Sequence, residues 1–144
     1  MYKRQRLILD TSALVAAYDP DELDHAACVE VLRECQDLVL SPFVLAELDY
    51  FVRRDRSTAD ELELLSEVAV GALPLAEFSA DDARMAHAVI EHYADLDIGL
   101  TDASLVVVAH HHDTHDLFTL DHRHFRAVRA LDGEPFRLLP ADVA

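Results

Sequence analysis

The stretch Arg6–Leu14, RLILDTSAL, places an aspartate directly behind a short apolar run. The run Leu7–Leu9 is typical of a buried strand, because continuous apolar residues suit a strand that is covered on both faces. Asp10 follows at once, with the hydroxyl residues Thr11 and Ser12 behind it. Two interpretations of Asp10 are open: it caps a helix, or it is the first ligand of a metal site at the strand ends.

Further short apolar segments continue this pattern, and stretches with helical periodicity separate them. The strand candidates are Leu7–Leu9, Leu38–Leu40, Leu73–Leu75, Leu117–Leu120 and Phe136–Leu139. Such alternation predicts an α/β fold, with a central parallel sheet of four to five strands and helices on both faces. Ligands bind at the carboxyl ends of the strands in sheets of this kind. Asp10 lies at such an end.

Several of the predicted helices have clear start signals. These are Ser41-Pro42, Ser57 with Asp60, Ser79 with Asp82, and Gly99 or Thr101 before DASLVVVAHHH. Serine is a favoured cap, proline suits the first helical position, and an acid three residues after the cap completes a capping pattern. Gly71 is expected to end the helix that Ser57 opens.

Length and charge limit the classes of protein. The 144 residues predict a single domain, residues 1–144, with no linker or repeat. No run approaches the ~20 apolar residues of a membrane helix, and the run after the basic start is too short for a signal peptide. Cys28 and Cys35 are expected to be thiols, which fits a cytoplasmic protein. The net charge of −16 argues against a generally basic nucleic-acid-binding surface, but not against a local basic patch or a bound metal.

Four acidic residues lie within apolar sequence, where an ionised carboxylate is costly unless it is paired or bound to metal. Asp10 ends the first strand, and Asp121 ends the apolar run LFTLD. Asp102 opens a strongly apolar helix, and Glu47 has apolar neighbours three and four residues away, so that it is expected to point inward. Asp49 is then expected to be exposed. The plain alternatives are a helix cap for Asp10 or Asp102, a helix edge for Glu47 and a turn for Asp121.

Parallel topology can bring these acids to one edge of the sheet. Four converging carboxylates do not all remain ionised without a cation, because like charges raise one another's pKa. A site rich in oxygen ligands suits Mg²⁺ or Mn²⁺. This interpretation favours chemistry on a phosphodiester.

Four segments in this order, LILDTSAL, SPFVLAEL, LTDASLVVVAH and FTLDHRHF, resemble the PIN-domain ribonucleases, most of all the VapC toxins of bacterial toxin–antitoxin pairs. The resemblance covers about residues 6 to 140. It implies a PIN-like three-layer α/β/α sandwich and a Mg²⁺-dependent endoribonuclease, with Mn²⁺ as a possible substitute. The implied substrate is a structured RNA such as tRNA or rRNA.

The resemblance also implies roles for individual residues. Asp10, Glu47, Asp102 and Asp121 match the acidic quartet of the family, Thr11 or Ser12 its hydroxyl beside the first acid, and Thr119 its hydroxyl before the last. Asp10 and Asp102 are the leading metal ligands, Glu47 acts through water or orients the nucleophile, and Asp121 holds a second metal. Asp97 is an additional acid near the third segment, and a solvated loop position is its plainer interpretation.

RNA and protein partners are expected as well. Arginines follow two of the acids: Arg53, Arg54 and Arg56 after Glu47, and Arg123, Arg126 and Arg129 after Asp121. They suit phosphate contact, although surface pairing with acids explains any one of them equally well. The resemblance implies a cognate antitoxin and a homodimer. The apolar helix faces around residues 23–35 and 43–52 are candidate surfaces for either partner, or part of the core.

Competing functions have weaker support. His111 and His115, in HHHDTH, have the spacing of a zinc pair, but Asp113 and Thr114 indicate that the helix ends there. An aspartyl-phosphate phosphatase usually carries a second acid where this chain has Ser12, and a phosphorelay receiver needs a buried lysine, whereas Lys3 is the only lysine. A non-catalytic PIN-like module that binds protein is the remaining alternative.

Overall fold

The computed structural model describes residues 6–143, so Lys3 and the basic start of the chain lie outside it. In chain order the elements are β1 Arg6–Leu9, α1 Thr11–Tyr18, α2 His25–Glu34, β2 Asp37–Leu40, α3 Pro42–Asp55, α4 Thr58–Ala69, α5 Ala80–His92, α6 Leu100–His111, β3 Asp116–Phe118, α7 His122–Phe125 and β4 Arg137–Leu139. A short 3₁₀ turn, Ala94–Leu96, precedes α6.

The four strands form one parallel sheet in the order β2-β1-β3-β4. Leu9 at the end of β1 pairs with Leu40 of β2 on one side and with Phe118 of β3 on the other. The carboxyl ends of the strands therefore lie along one edge of the sheet. The predicted α/β architecture with a parallel sheet flanked by helices is confirmed.

The predicted fifth strand, Leu73–Leu75, is reduced to a single bridge. Leu75 pairs with Leu40 at the outer edge of β2. Leu40 donates its N–H to the Pro74 carbonyl at 2.8 Å and accepts the N–H of Ala76 at 2.8 Å. Pro74 has no N–H to donate, which suits a sheet edge and limits the length of a strand.

The predicted helix caps are present. Ser41 accepts the N–H of Phe43, with Pro42 in the first turn of α3, and Ser57 accepts the N–H of Asp60 at the start of α4. Ser79 and Asp82 form a complete capping box on α5. Gly99 rather than Thr101 is the cap of α6, and Gly71 follows α4 with a positive φ of 83° that suits glycine.

Helix α6 is the central helix of the core. Its residues 103–109 are all buried, which explains why its sequence is apolar on every side. It contacts β1 and β3, and it also packs against α5 and α3. Ser41 and Ser104, both fully buried, join the start of α3 to α6 through a 2.8 Å bond between their hydroxyls. None of the helices described between residues 6 and 143 is long and apolar enough to cross a membrane.

Candidate active site

The candidate site lies where the sheet changes its direction of winding. From β1 the chain passes to β2 on one side, and it later returns to β3 on the other side of β1. The crevice above the carboxyl ends of β1 and β3 is therefore a switch point, where open α/β sheets bind ligands. Asp10 follows β1 and donates its N–H to the Phe118 carbonyl at 2.9 Å, so it continues the ladder into this crevice.

Asp10 is buried, with 5% of its surface exposed. Its Oδ1 accepts the N–H of Thr11 at 2.8 Å and caps α1. Its Oδ2 accepts the hydroxyl of Thr119 at 2.7 Å and that of Ser12 at 3.2 Å. The helix cap is confirmed. A cap at the switch point leaves the predicted role as a metal ligand open, since both roles place the carboxylate at the same edge.

Two hydroxyls connect Asp10 to Asp121. The Ser12 hydroxyl accepts the N–H of Leu120 at 3.0 Å and lies 3.3 Å from the Thr119 hydroxyl. Thr119 is fully buried, and its hydroxyl accepts the N–H of Asp121 at 2.9 Å. Between the two hydroxyl candidates beside the first acid, the side chain of Ser12 contacts Asp10. The Thr11 hydroxyl is buried without a hydrogen-bond partner in the part of the chain that the structure describes.

Asp102, Asp121 and His124 form a second group in the same crevice. Asp102 lies in the first turn of α6, and Asp121 is the N-cap of α7, accepting the N–H of His124 at 3.1 Å. The imidazole Nδ1 of His124 lies 2.9 Å from Asp121 Oδ2 and 3.4 Å from Asp102 Oδ2. One ligand atom from each of the three residues lies within 4.8 Å of the others.

Burial and mutual repulsion raise the pKa values of two of these acids. Burial raises the pKa of Asp10, with a further contribution from the charge of Asp121, although its hydrogen bonds oppose the shift. Burial, and then the nearby Asp10 carboxylate, raise the pKa of Asp102 to about 6. Asp121 and Glu47 add to that shift, while His124 opposes it. The negative charge of this crevice is therefore incompletely balanced at neutral pH.

Glu47 is placed differently from the prediction. It is exposed on α3, whereas Val44 and Leu48 are the buried residues of that helix. The expectation of an inward position was wrong because one of its apolar neighbours, Tyr50, is itself 59% exposed. Glu47 nevertheless contributes to the raised pKa of Asp102, so its charge acts on the crevice from the rim.

Asp49 was expected to be exposed, and that expectation was also wrong. Asp49 is half-buried, and its Oδ1 is enclosed. The reason is the packing of α4 against α3, which brings Glu61 beside it and raises the pKa of Glu61. A helical wheel of α3 alone contains no information on the packing of α4 against it.

Most of the candidate RNA-binding arginines have partners within the protein. Their contacts are Arg53 with Glu61, Arg54 with Asp55, Arg56 with the Tyr18 carbonyl, Arg126 with Asp142 and Arg129 with the Gly133 carbonyl. Arg126 binds Asp142 through two bonds of 2.6 and 2.7 Å. Among these arginines Arg123 alone makes no hydrogen bond or ion pair within residues 6–143. It lies in α7, between Asp121 and His124.

The remaining sequence candidates lie away from the crevice. Helix α6 ends at His111, as predicted, and His111 and His115 bind different acids, Asp82 at 2.5 Å and Asp132 at 2.7 Å. Within the described residues they form no metal cluster. Asp97 is exposed with a left-handed φ of 52° at the end of the 3₁₀ turn, which is typical of a loop aspartate.

Sequence reasoning missed His124. The available signal was its position three residues after Asp121, in DHRH, because residues at that spacing are neighbours on a helix. The criterion of an acid within apolar sequence selects carboxylates and does not apply to an imidazole.

Comparison with known proteins agrees with this fold. The PIN domain family matches residues 7–131. Over 135 residues the chain is 43% identical to ribonuclease VapC26 from Mycobacterium tuberculosis, covering 93% of this chain and 100% of that protein. The chain therefore belongs to the PIN-domain family, and within it to the VapC ribonucleases.

Solved structures show the same fold. The chain superposes on VapC20 from Mycobacterium tuberculosis, a sarcin–ricin loop cleaving toxin, with a TM-score of 0.76 and 17% identity over 90% of this chain and 99% of that one. It superposes on VapBC2 from Rickettsia felis, bound to a DNA fragment from its promoter, with a TM-score of 0.66 and 21% identity over 93% and 98%. At these identities the likeness concerns the fold alone.

The donor set of the crevice fits a divalent cation. It offers carboxylate oxygens from Asp102 and Asp121 and one imidazole nitrogen from His124 within 4.8 Å of one another. The charges of Asp10 and Glu47 act on the same group. His124 is the only basic side chain that contacts these carboxylates in the described part of the chain. PIN nucleases use a divalent metal, and hard cations of this class take oxygen ligands.

Proposed function

We propose that this chain is an endoribonuclease that hydrolyses RNA phosphodiester bonds with Mg²⁺, or with Mn²⁺ in its place. We propose further that it is the toxin of a VapBC-type toxin–antitoxin pair. The observation that carries the proposal is the cluster of Asp10, Asp102 and Asp121 at the switch point, where the pKa of Asp102 is raised to about 6. Such a group favours a bound cation, because the cation removes the cost of keeping the carboxylates ionised together.

The residues of the crevice have separate tasks in this proposal. Asp10, Asp102 and Asp121 hold the metal, which when bound stabilises charge on the phosphate and lowers the pKa of a coordinated water. Ser12 and Thr119 hold the Asp10 carboxylate in place, and Thr119 also fixes the backbone of Asp121. The charge of Glu47 acts on the crevice, where its carboxylate would orient the attacking water or hold the metal through a water molecule. The reaction needs no serine or histidine nucleophile.

The proposed substrate is single-stranded or loop RNA within a tRNA or rRNA. Loop backbone is accessible to an open crevice, while base-paired backbone is held in a helix. Arg123 beside the acids is the proposed phosphate contact, since Arg53, Arg54 and Arg126 are engaged by acids of the protein itself. The net charge of −16 is thereby compatible with RNA binding, which depends on the crevice rather than on a basic surface. Such a substrate also implies a cytoplasmic enzyme.

The proposed antitoxin site is a groove between α1, α3 and α4. Its apolar lining includes Val52 and Leu64, with Tyr18 at one side. Its polar lining is mainly acidic, with Asp60, Glu63 and Glu67 beside Arg56, which donates to the Tyr18 carbonyl. Apolar walls with a mainly acidic polar lining suit an amphipathic helix that carries basic residues. The likeness to the VapBC2 complex supports such a partner.

The two predicted partner surfaces, on α2 and α3, contribute differently to this groove. The face of α2 within residues 23–35 packs Cys28 and Val31 into the core, while α3 contributes Val52 to the groove. A homodimer remains part of the proposal by family likeness.

Cleavage of a total tRNA and rRNA pool tests the proposal. We expect wild-type protein, freed of any antitoxin, to cut with Mg²⁺ and not with EDTA, and Asp10→Ala to be inactive. Asp81→Ala is the matched control, because Asp81 is exposed on α5 and pairs with Arg84 of the same helix. Cleavage by Asp10→Ala would contradict the site. No cleavage by folded wild-type protein would favour the non-catalytic binding module.

A further inference from the structure

His124 occupies a position that the acidic quartet does not explain. Its Nδ1 faces both Asp121, at 2.9 Å, and Asp102, at 3.4 Å, and its side chain is 23% exposed. The Asp121 side chain also accepts the N–H of His124 at 3.1 Å, so one carboxylate fixes the backbone and the ring of the same residue. The imidazole is thus held at the crevice rather than free to turn into solvent.

The three side chains converge like a partial coordination shell. Their ligand atoms lie within 4.8 Å of one another and come from two elements, with Asp102 on α6 and the other two at α7. The tautomer with its hydrogen on Nδ1 donates to Asp121. The tautomer with its hydrogen on Nε2 presents a lone pair at the same nitrogen, toward the same centre.

The type of donor decides which cation such a shell prefers. Mg²⁺ selects oxygen ligands and near-ideal octahedral geometry, so an imidazole adds little to its binding. Manganese stands at the weak end of the transition-metal series and also favours oxygen ligands, but as a transition metal it accepts an imidazole nitrogen beside carboxylates more readily than Mg²⁺ does. A nitrogen donor therefore discriminates between the two ions, whereas carboxylates alone bind both.

We propose that Nδ1 of His124 is a metal ligand together with Asp102 and Asp121, and that this mixed ligand set makes the site prefer Mn²⁺ over Mg²⁺. The inference rests on the proposed metal site and adds a ligand to it. His122 is the natural control, because it is an exposed histidine of the same helix whose charge acts on Asp142 instead.

Electron paramagnetic resonance of bound Mn²⁺ tests this inference without any activity measurement. We expect the wild-type protein to bind Mn²⁺ and to show nuclear modulation from a coordinated imidazole nitrogen, which changes to the ¹⁵N pattern when histidine is ¹⁵N-labelled. His122→Asn should keep this modulation and His124→Asn should lose it. The Kd for Mn²⁺ should rise about tenfold in His124→Asn, while the Kd for Mg²⁺, measured by competition, changes by less than about threefold.

The possible failures are distinguishable. Bound Mn²⁺ without histidine nitrogen modulation in the labelled wild type would overturn the ligand role of His124 and leave the acidic site intact. An unchanged ratio of the two Kd values in His124→Asn would overturn the preference for Mn²⁺. A wild-type protein that binds neither ion would overturn the proposed metal site together with this inference. The labelled wild type gives a result even where the variant does not fold.

Discussion

At the scale of single residues, the site depends on how strongly the fold desolvates its acids. Asp10 is nearly enclosed, yet each of its oxygens accepts at least one hydrogen bond from a neighbour fixed by the fold. These bonds favour the charged form, while burial disfavours it. Burial is the larger effect, so the pKa is raised and the carboxylate gains from a cation.

The raised pKa of Asp102 predicts that metal binding depends on pH. A proton competes with the metal below the folded pKa of about 6. We therefore expect the increase in Tm caused by Mg²⁺ to be full at pH 7.5 and to be lost as the pH falls through about 6. Differential scanning fluorimetry with Mg²⁺ and with EDTA measures this increase.

Without metal, the contribution of Asp102 to stability changes with pH in the opposite direction. Asp102 binds its proton more tightly in the folded state than in the unfolded state, so its contribution to stability is greatest in acid and is lost as the pH rises through about 6. Asp102→Asn should therefore reduce the pH dependence of Tm in EDTA between pH 5 and 7.5. An increase in Tm with Mg²⁺ that is the same at pH 5 and 7.5 would contradict the assignment of Asp102 as a ligand.

Thr119 is expected to position the acids on either side of it. Thr119→Val keeps the shape but removes the hydroxyl that binds Asp10 and accepts the Asp121 N–H. Loss of buried hydrogen bonds should lower the free energy of unfolding by about 1–3 kcal/mol. Cleavage should fall about 10–100-fold, as for a residue that orients a metal ligand. Thr119→Ser, which keeps the hydroxyl, should retain most activity; equal loss in both variants would show that the methyl group matters instead.

At the scale of elements, the sequence predicted what is encoded locally. Apolar runs and serine caps decide where β1, α3, α4 and α5 begin, because these signals act over a few residues. The position of Glu47 could not be predicted in the same way, since it depends on which face of α3 meets α1, α4 and α6. Whether Ser12 or Thr11 contacts the Asp10 side chain depends on the register of β1 against β3. The paired residues of these two strands are far apart in the sequence, so local signals do not determine it.

The cap of α3 should matter for activity as well as for stability. Ser41→Ala removes the cap of α3 and the hydroxyl that joins it to Ser104 in α6, the helix of Asp102. Ser79→Ala removes a comparable cap from α5, away from the crevice. We expect each change to lower the free energy of unfolding by about 1 kcal/mol, with a larger loss for Ser41→Ala. Denaturant titration checks this order.

The cleavage rates of the two variants then distinguish the roles of the two caps. The rate should fall in Ser41→Ala, which loosens the connection between α3 and α6, and stay near wild type in Ser79→Ala. A reduced rate in both variants would indicate a general loss of stability rather than a role of the Ser41–Ser104 link.

At the scale of the whole molecule, the proposed RNA contact of this acidic protein depends on one local basic side chain. Arg123 and Arg126 lie in or beside the same short helix, but Arg126 is bound by Asp142, whose pKa is lowered to about 2 by that pairing. Asp142 also accepts the N–H of Leu138 in β4, so this pair holds the end of the chain to the sheet.

These two arginines should therefore have separable effects. Arg123→Gln is expected to raise KM for RNA severalfold, about 1 kcal/mol for a lost phosphate contact, without changing Tm. Arg126→Gln is expected to lower Tm and to change KM less. Steady-state cleavage at two salt concentrations, with Tm measured in parallel, gives both quantities. A raised KM in Arg126→Gln with an unchanged KM in Arg123→Gln would indicate that Arg126, and not Arg123, contacts the RNA.

We propose that the crevice above β1 and β3 is a metal-dependent nuclease site. The most direct test is the single-turnover rate of RNA cleavage in Mg²⁺ for Asp102→Asn against Asp97→Asn, a neighbouring acid in an exposed turn. We predict a loss of at least about 100-fold for Asp102→Asn and a wild-type rate for Asp97→Asn. A wild-type rate for Asp102→Asn would show that this crevice is not the nuclease site.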